Sequence, residues 1–179
     1  MRARMPSVRV FHYFLKEGAL LGRFFFTLWQ ILWGLPQSIL GFALFLHYRR
    51  RSGRHEVFHG ALVTPWPIGG SLSVGLFIFL SEQSGSYVRD GEIVSGDDAS
   101  RGVLVHEFGH SVQSLILGPL FLPLVGLPSF LWANVPALRK LRRDRRISYY
   151  SIYPENWANR LGEWATGERS PGKSLPYRG

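Results

Sequence analysis

Cysteine is absent from all 179 residues. Disulfides and cysteine-ligated zinc are therefore excluded, and any metal must be held by imidazole and carboxylate. Charge is also scarce: Asp, Glu, Lys and Arg make up 18% of the chain, against a usual quarter. Acid is the scarcer sign, with 12 Asp and Glu against 21 Lys and Arg, a formal net charge of +9. Aromatic residues are plentiful at 15%. Few charges with many aromatics point to a membrane-associated protein. The basic balance suits either nucleic acid or an anionic membrane face. No groove-reading motif accompanies the basic clusters, so nucleic acid is not an expected partner.

The stretch around which the rest is organised is Val105-His106-Glu107-Phe108-Gly109-His110, an H-E-x-x-H motif. It lies in a helical pattern read from about Ser100 to Leu117, with Asp97-Asp98-Ala99-Ser100 as a cap and Gly118-Pro119 as a stop. Residues four apart share a helix face, so His106 and His110 can grip one metal ion. Glu107 projects about 100° round the helix from His106, where it can act as general base on metal-bound water. This is the pattern of zinc hydrolases. Gly109 costs the helix roughly 1 kcal/mol against Ala, which is best tolerated where something approaches closely.

Residues 1–54 read as a basic and hydrophobic N-terminal region, a membrane anchor. Phe11, Phe14, Leu15, Ala19 and Leu20 fall near helical spacing and suggest a short amphipathic helix. Residues 24–48 carry no formal charge, a length sufficient to cross a bilayer. Gly34-Leu35-Pro36 interrupts them, giving one kinked span, a helical hairpin or a core helix. Two basic clusters, Arg49–Arg54 and Arg139–Arg146, adjoin apolar segments and fit the cytoplasmic face of a membrane. A bacterial inner-membrane location is the expectation.

Residues 55–179 read as a metallopeptidase-like domain. Glu56–Val63 and Ser71–Leu80 look like strands, with Pro65 and Pro67 placing Trp66 in a turn. The second strand is a candidate edge for an extended substrate. Residues 81–100 read as a loop or hairpin with Asp90-Gly91 as its turn. Gly118–Pro136 is apolar but dense in Pro and Gly, so no regular helix is expected; a looped segment packs under the site or dips into the membrane. The fold class is α+β and helix-rich: an H-E-x-x-H active-site helix against a small sheet or hairpin, with an N-terminal hydrophobic helix or helical hairpin.

Catalytic zinc takes three protein ligands, and the motif supplies two. Glu155 follows Pro154 at a helix start and shares a face with Asn159. It can ligate the metal, or it can simply favour a helix N-terminus. Glu163, Glu168 and His59 are further candidates. For a second donor to the oxyanion, Tyr149, Tyr150, Tyr153, His59 and Arg160 all qualify.

The sequence HEFGHSVQSLILGPLFLPLVGLPSF followed by YPENWANRLG resembles a group of small bacterial proteins and toxin-associated modules regarded as zinc metallopeptidases. Their pattern is HE-aromatic-GH-x-x-QS, then GP-x-aromatic-L, then G-x-PS, then Glu-x-x-Ala-Asn/Asp. The last element also looks like the third-ligand helix of gluzincins. The resemblance implies a Zn²⁺ site of His106, His110 and Glu155, catalysis by Glu107 and support from Asn159. It departs at Pro154, where a Thr is expected, and at Asn159, where gluzincins carry Asp. The implied activity is hydrolysis of a peptide or protein substrate by a membrane-associated metalloprotease. A catalytically inactive, membrane-anchored metal-binding module is the alternative. An intramembrane protease of the site-2 type would need an Asp in a second long apolar run, and there is none.

Overall fold

A computed structural model of the protein describes residues 19–176, Gly53 and Ser84 apart. The amphipathic helix expected near the N-terminus falls largely outside these residues. The fold is α+β and helix-rich. Helices α1 (Ala19–Leu32) and α2 (Leu35–Tyr48) lead into strands β1 (Glu56–Phe58), β2 (Ala61–Trp66), β3 (Leu72–Val74), β4 (Phe77–Ser81), β5 (Tyr87–Arg89) and β6 (Glu92–Val94). The long helix α3 (Gly96–Leu117) follows. A 3₁₀ turn, a π-helical turn and helices α4 (Leu127–Asn134) and α5 (Pro136–Asp144) come next, then α6 (Tyr153–Thr166) and a short β7 (Leu175–Pro176).

The first sheet has the order β1-β2-β4-β3, with β2 and β4 parallel and the outer pairs antiparallel. A second sheet, β6-β5-β7, is antiparallel. Glycine turns set these strands. His59 (φ 48°) and Gly60 (φ 96°) fold residues 56–66 into a hairpin, and Asp90 (φ 53°) and Gly91 (φ 86°) make the expected one at β5–β6. Paired positive φ values match the right-handed twist of hairpin strands.

Several expectations are corrected. The 71–80 run is two strands, because Gly75 at φ 64° reverses the chain between β3 and β4. Of the two, β3 is an edge and β4 lies inside the sheet. Trp66 belongs to β2, with Pro65 opposite Leu80. Leu62 and Trp66 bond to the β4 side, and alternation turns Pro65 to the other side, past the end of β1, where a missing N–H costs nothing. α3 begins at Gly96, earlier than the sequence suggests: Asp97 and Asp98 sit in its first turn, where they complement the helix dipole, while Ser95 stands extended before it.

The proline-rich stretch is helical after all. Pro119, Pro123 and Pro128 each fall in the first positions of a new helical turn: 3₁₀ at Gly118–Leu120, π at Leu122–Gly126, then α4. There a proline sacrifices no intrahelical bond.

α1 and α2 form a bent pair, at 103° to each other; among the described residues no single helix is long and apolar enough to cross a membrane. The pair is tied down from below. Gln30 and Gln37, both fully buried, donate to the backbone of α3 at Ser111 O (2.6 Å) and of its C-cap at Gly118 O (2.9 Å).

α3 runs through the centre, buried almost all round from Leu104 to Ser114. One side meets the sheet in a core of Phe58, Ala61, Val63, Ile78, Leu104, Val105, Phe108 and Val112. The other side meets α6 at a close crossing with a glycine from each helix. A Cβ on Gly109 would collide with Ala158 O, and one on Gly162 with Val105 O. The close approach anticipated at Gly109 is thus the backbone of α6.

Candidate metal centre

The crossing of α3 and α6 decides which side chains meet. His106 and His110 leave α3 on the face toward α6, and Glu155 leaves the first turn of α6 toward them. One nitrogen or oxygen of each lies within 4.8 Å of the others. Glu155 Oε2 is 3.1 Å from His106 Nε2 and 3.5 Å from His110 Nε2. All three residues are buried, Glu155 completely.

Hydrogen bonds settle which way each ring points. Asn159 Nδ2 donates to Gly172 O at 3.0 Å, which turns its Oδ1 to His106 Nδ1 at 2.9 Å. Gln113 Nε2 donates to Pro154 O at 2.8 Å, which turns its Oε1 to His110 Nδ1 at 2.7 Å. An amide oxygen can only accept, so each Nδ1 carries the hydrogen. Each neutral ring then aims an Nε2 lone pair inward. A carboxylate pinning histidine is the commoner arrangement; here two neutral amides perform it.

The result is a knot of electron pairs. With both rings neutral, neither Glu155 oxygen has a hydrogen-bond partner, although a buried carboxylate without one is costly. Two lone pairs and a carboxylate facing one another repel unless a cation sits between them. Burial disfavours a charge on His110, but the nearby Glu155 outweighs it and holds the His110 pKa up to about 9. Glu155 is likewise opposed by burial, yet the imidazoles hold its pKa below the usual carboxylate range. The electron pairs that hold a proton there are the same ones that can hold a metal ion. His106, His110 and Glu155 can hold a metal ion, and the two-nitrogen, one-oxygen donor set leaves room for a further ligand.

Glu107 borders the same pocket, a cleft of about 680 Å³ also lined by Leu72 and Ser73 at the sheet edge, Phe121 and Val125, and Tyr149 and Tyr150. Burial raises the Glu107 pKa above the ordinary carboxylate value, partly offset by the two histidines. Burial also raises the phenol pKa values of Tyr149 and Tyr150, keeping both as O–H donors. The Tyr150 ring lies 4.8 Å from that of His106.

The other sequence candidates lie elsewhere. Glu163 accepts from Arg89 at 3.1 Å and from Ser170, and Glu168 forms a two-pronged pair with Arg101. His59 packs its ring on Phe58 and Phe108. Tyr153 turns away to donate to Leu124 O, and Arg160 is exposed.

Sequence reasoning gave Gln113 no role. Its signal was available: it follows His110 by three residues, hence on the same helix face. The carbonyls of Pro154 and Gly172 that fix the two amides carry no sequence signal. Comparisons with protein-family models, curated proteins and solved structures find no match.

Proposed function

We propose that this protein is a zinc-dependent peptide hydrolase that works at a membrane surface. The observation that carries the reading is the pair of pinned imidazoles facing an orphaned, fully buried carboxylate, beside a buried acid that immediately follows His106. Two imidazoles and one carboxylate without thiolate are a donor set zinc accepts in hydrolases. Zinc held there supplies Lewis-acid polarisation of a scissile carbonyl and brings the pKa of water towards about 7.

The chain's own residues do the rest. Glu107, its proton affinity raised by burial, takes a proton from the attacking water and returns it to the leaving amine. Tyr149 or Tyr150, both lining the pocket, donates to the developing oxyanion. The β3 edge, with Leu72 and Ser73 on the pocket wall, offers backbone groups to an extended peptide. Phe121 and Val125 from the proline-rich stretch close the floor with apolar surface.

Membrane association draws support from a broad apolar surface. Phe24, Phe25, Trp29 and Leu32 on α1 are exposed, as are Leu124, Leu127 and Phe130 on the proline-rich stretch. The two regions adjoin where Trp33 covers Gly118. An exposed apolar area on this scale marks a membrane or protein interface, and the basic Arg49–Arg51 at the C-terminal end of α2 suit anionic headgroups. Flotation with anionic vesicles is the measurement; recovery in the vesicle-free fraction sinks this part.

The test of the chemistry is metal analysis beside turnover. Wild type should hold one zinc, and His110→Ala and Glu155→Ala should each lose it. Glu107→Gln should keep zinc and lose hydrolysis by about 10²–10⁴-fold. Stoichiometric zinc in Glu155→Ala removes the third ligand. Full turnover in Glu107→Gln removes the base. Zinc without turnover on a broad peptide library points to the metal-binding module instead.

A further inference from the structure

The basic run at 139–146 divides when it folds. Arg143, Arg145 and Arg146 are exposed, as expected of a face turned to headgroups. Arg139 and Arg142, three apart on α5 and so on one face, instead line the pocket that contains Glu107, His106, His110 and Glu155. Arg142 is held there by ring stacking. Its guanidinium carbon lies 5.0 Å from the Trp132 ring centre and 5.1 Å from that of Tyr149. Trp132 is itself fixed by donating to Tyr149 O at 2.8 Å.

So placed, the guanidinium is under-used. Nη1 is buried and has no hydrogen-bond partner. Among the described residues no carboxylate lies within ion-pair distance of Arg142. A surface arginine would satisfy its donors with water; a clamped and partly buried one forfeits that solvation unless an anion replaces it. The charges around it also leave room for an anion. Glu155 and Glu107 would together offset a divalent metal, which leaves Arg142 and the exposed Arg139 as uncompensated cations of the pocket. A planar fork of N–H donors matches a carboxylate in both shape and charge.

We propose that Arg142 is the specificity-determining residue of this pocket, binding a carboxylate of the peptide substrate, with the exposed Arg139 beside it. That the substrate is a peptide rests on the peptidase reading; the anion subsite stands on its own geometry. The carboxylate can be the substrate's C-terminus or an Asp or Glu side chain, and the two are separable.

The probe is a set of fluorescent peptides bound to zinc-loaded Glu107→Gln protein, in which binding is measured without turnover. One pair differs by a free or amidated C-terminus, a second by Glu or Gln within the sequence. With Arg142 intact, the acid member of one pair should bind about ten- to a hundredfold more tightly than its neutral partner. In Glu107→Gln/Arg142→Gln that ratio should fall to near one, and Arg142→Lys should restore part of it. Gln keeps a stem over Trp132 and Tyr149. The first arm needs no change at Arg142, so its outcome does not depend on that variant folding.

Succinate, titrated against tryptophan fluorescence of the same zinc-loaded protein, reads the subsite without a peptide. Succinate binding that depends on Arg142, with no peptide bound, supports the subsite and overturns the peptidase reading. Equal affinities within both peptide pairs, with zinc present and succinate not bound, overturn the subsite and leave the peptidase reading standing. Preference for inorganic phosphate over succinate overturns the carboxylate assignment.

Discussion

Helix α3 carries two buried polar clusters on different faces, and they end differently. Toward α1 and α2, Ser111 and Ser114 meet Gln30 and Gln37. Gln30 Nε2 donates to Ser111 O at 2.6 Å and its Oε1 accepts from Ser114 Oγ at 3.0 Å. Gln37 reaches Ser114 Oγ and Gly118 O, both at 2.9 Å, and Ser111 Oγ pairs with Ser73 Oγ at 2.8 Å. This cluster is neutral and nearly closes on itself; one oxygen, Gln37 Oε1, goes unpaired. Toward α6, the His106, His110 and Glu155 cluster is closed on its outer side by Asn159 and Gln113 and open at its centre, where both Glu155 oxygens are orphaned. A polar network that closes fixes packing. One that is closed outside and open inside leaves its lone pairs free to hold a cation. That difference separates a structural joint from a binding site without appeal to any motif.

The largest effect should come from breaking the crossing that creates the second cluster. In Gly109→Ala or Gly162→Ala the new Cβ strikes a carbonyl of the facing helix, and backbone cannot swing aside as a side chain can. Overpacking costs about 1–3 kcal/mol and sometimes more; rigid backbone on both sides puts these at about 3 kcal/mol or above. Either change also moves Glu155 away from the histidines. Zinc content and thermal midpoint should fall together. A Gly109→Ala protein of unchanged midpoint and full zinc content refutes the claim that this crossing builds the site.

A middle-sized effect tests the two clusters against each other. Gln113→Leu frees His110 to take the other tautomer or turn. Loss of such a supporting bond weakens metal affinity by about 10–100-fold. Gln30→Leu breaks only the structural joint, takes the acceptor from the Ser114 hydroxyl and should cost about 1–3 kcal/mol of stability with metal affinity held. The pair is read by chelator competition and by denaturant midpoint. If Gln30→Leu shifts metal affinity as much as Gln113→Leu does, the two clusters are one network and the distinction collapses.

How much of this was legible follows the range of the interactions. His106, Glu107 and His110 announce themselves because i, i+4 spacing is local geometry. Glu155 meets them only through the packing of α6 on α3, so spacing alone leaves its reading as a ligand level with that of a carboxylate at a helix start. The glycines were visible, but what they approach was not. Where local rules misled, a position was read without its partner. Gly75 looked like a strand interior and is a turn. Prolines 119, 123 and 128 looked like helix breakers and open successive helical turns. Arg142 reads as one more headgroup-facing charge in a run and lines the pocket.

The smallest effect belongs to the wet end of the same two elements, where Arg101 of α3 pairs with Glu168 just past α6. The pair is two-pronged, at 2.5 and 2.6 Å, with side chains 50% and 35% exposed. Water screens such a pair to below about 1 kcal/mol however good its geometry. The hydrogen bonds from Arg101, somewhat opposed by burial, hold the Glu168 pKa below its ordinary value. A carboxyl depressed by folding stabilises above its unfolded pKa of about 4.3, and the contribution is lost as pH falls through the folded pKa. Glu168→Gln, which spares the stacking of Arg101 on Phe58 at 4.7 Å, should therefore be slightly less stable than wild type at pH 7 and should converge with it in acid, with zinc content unaffected at neutral pH. A deficit that widens as pH falls, or a loss of zinc at pH 7, contradicts the assignment of this pair to the surface and joins it to the buried centre.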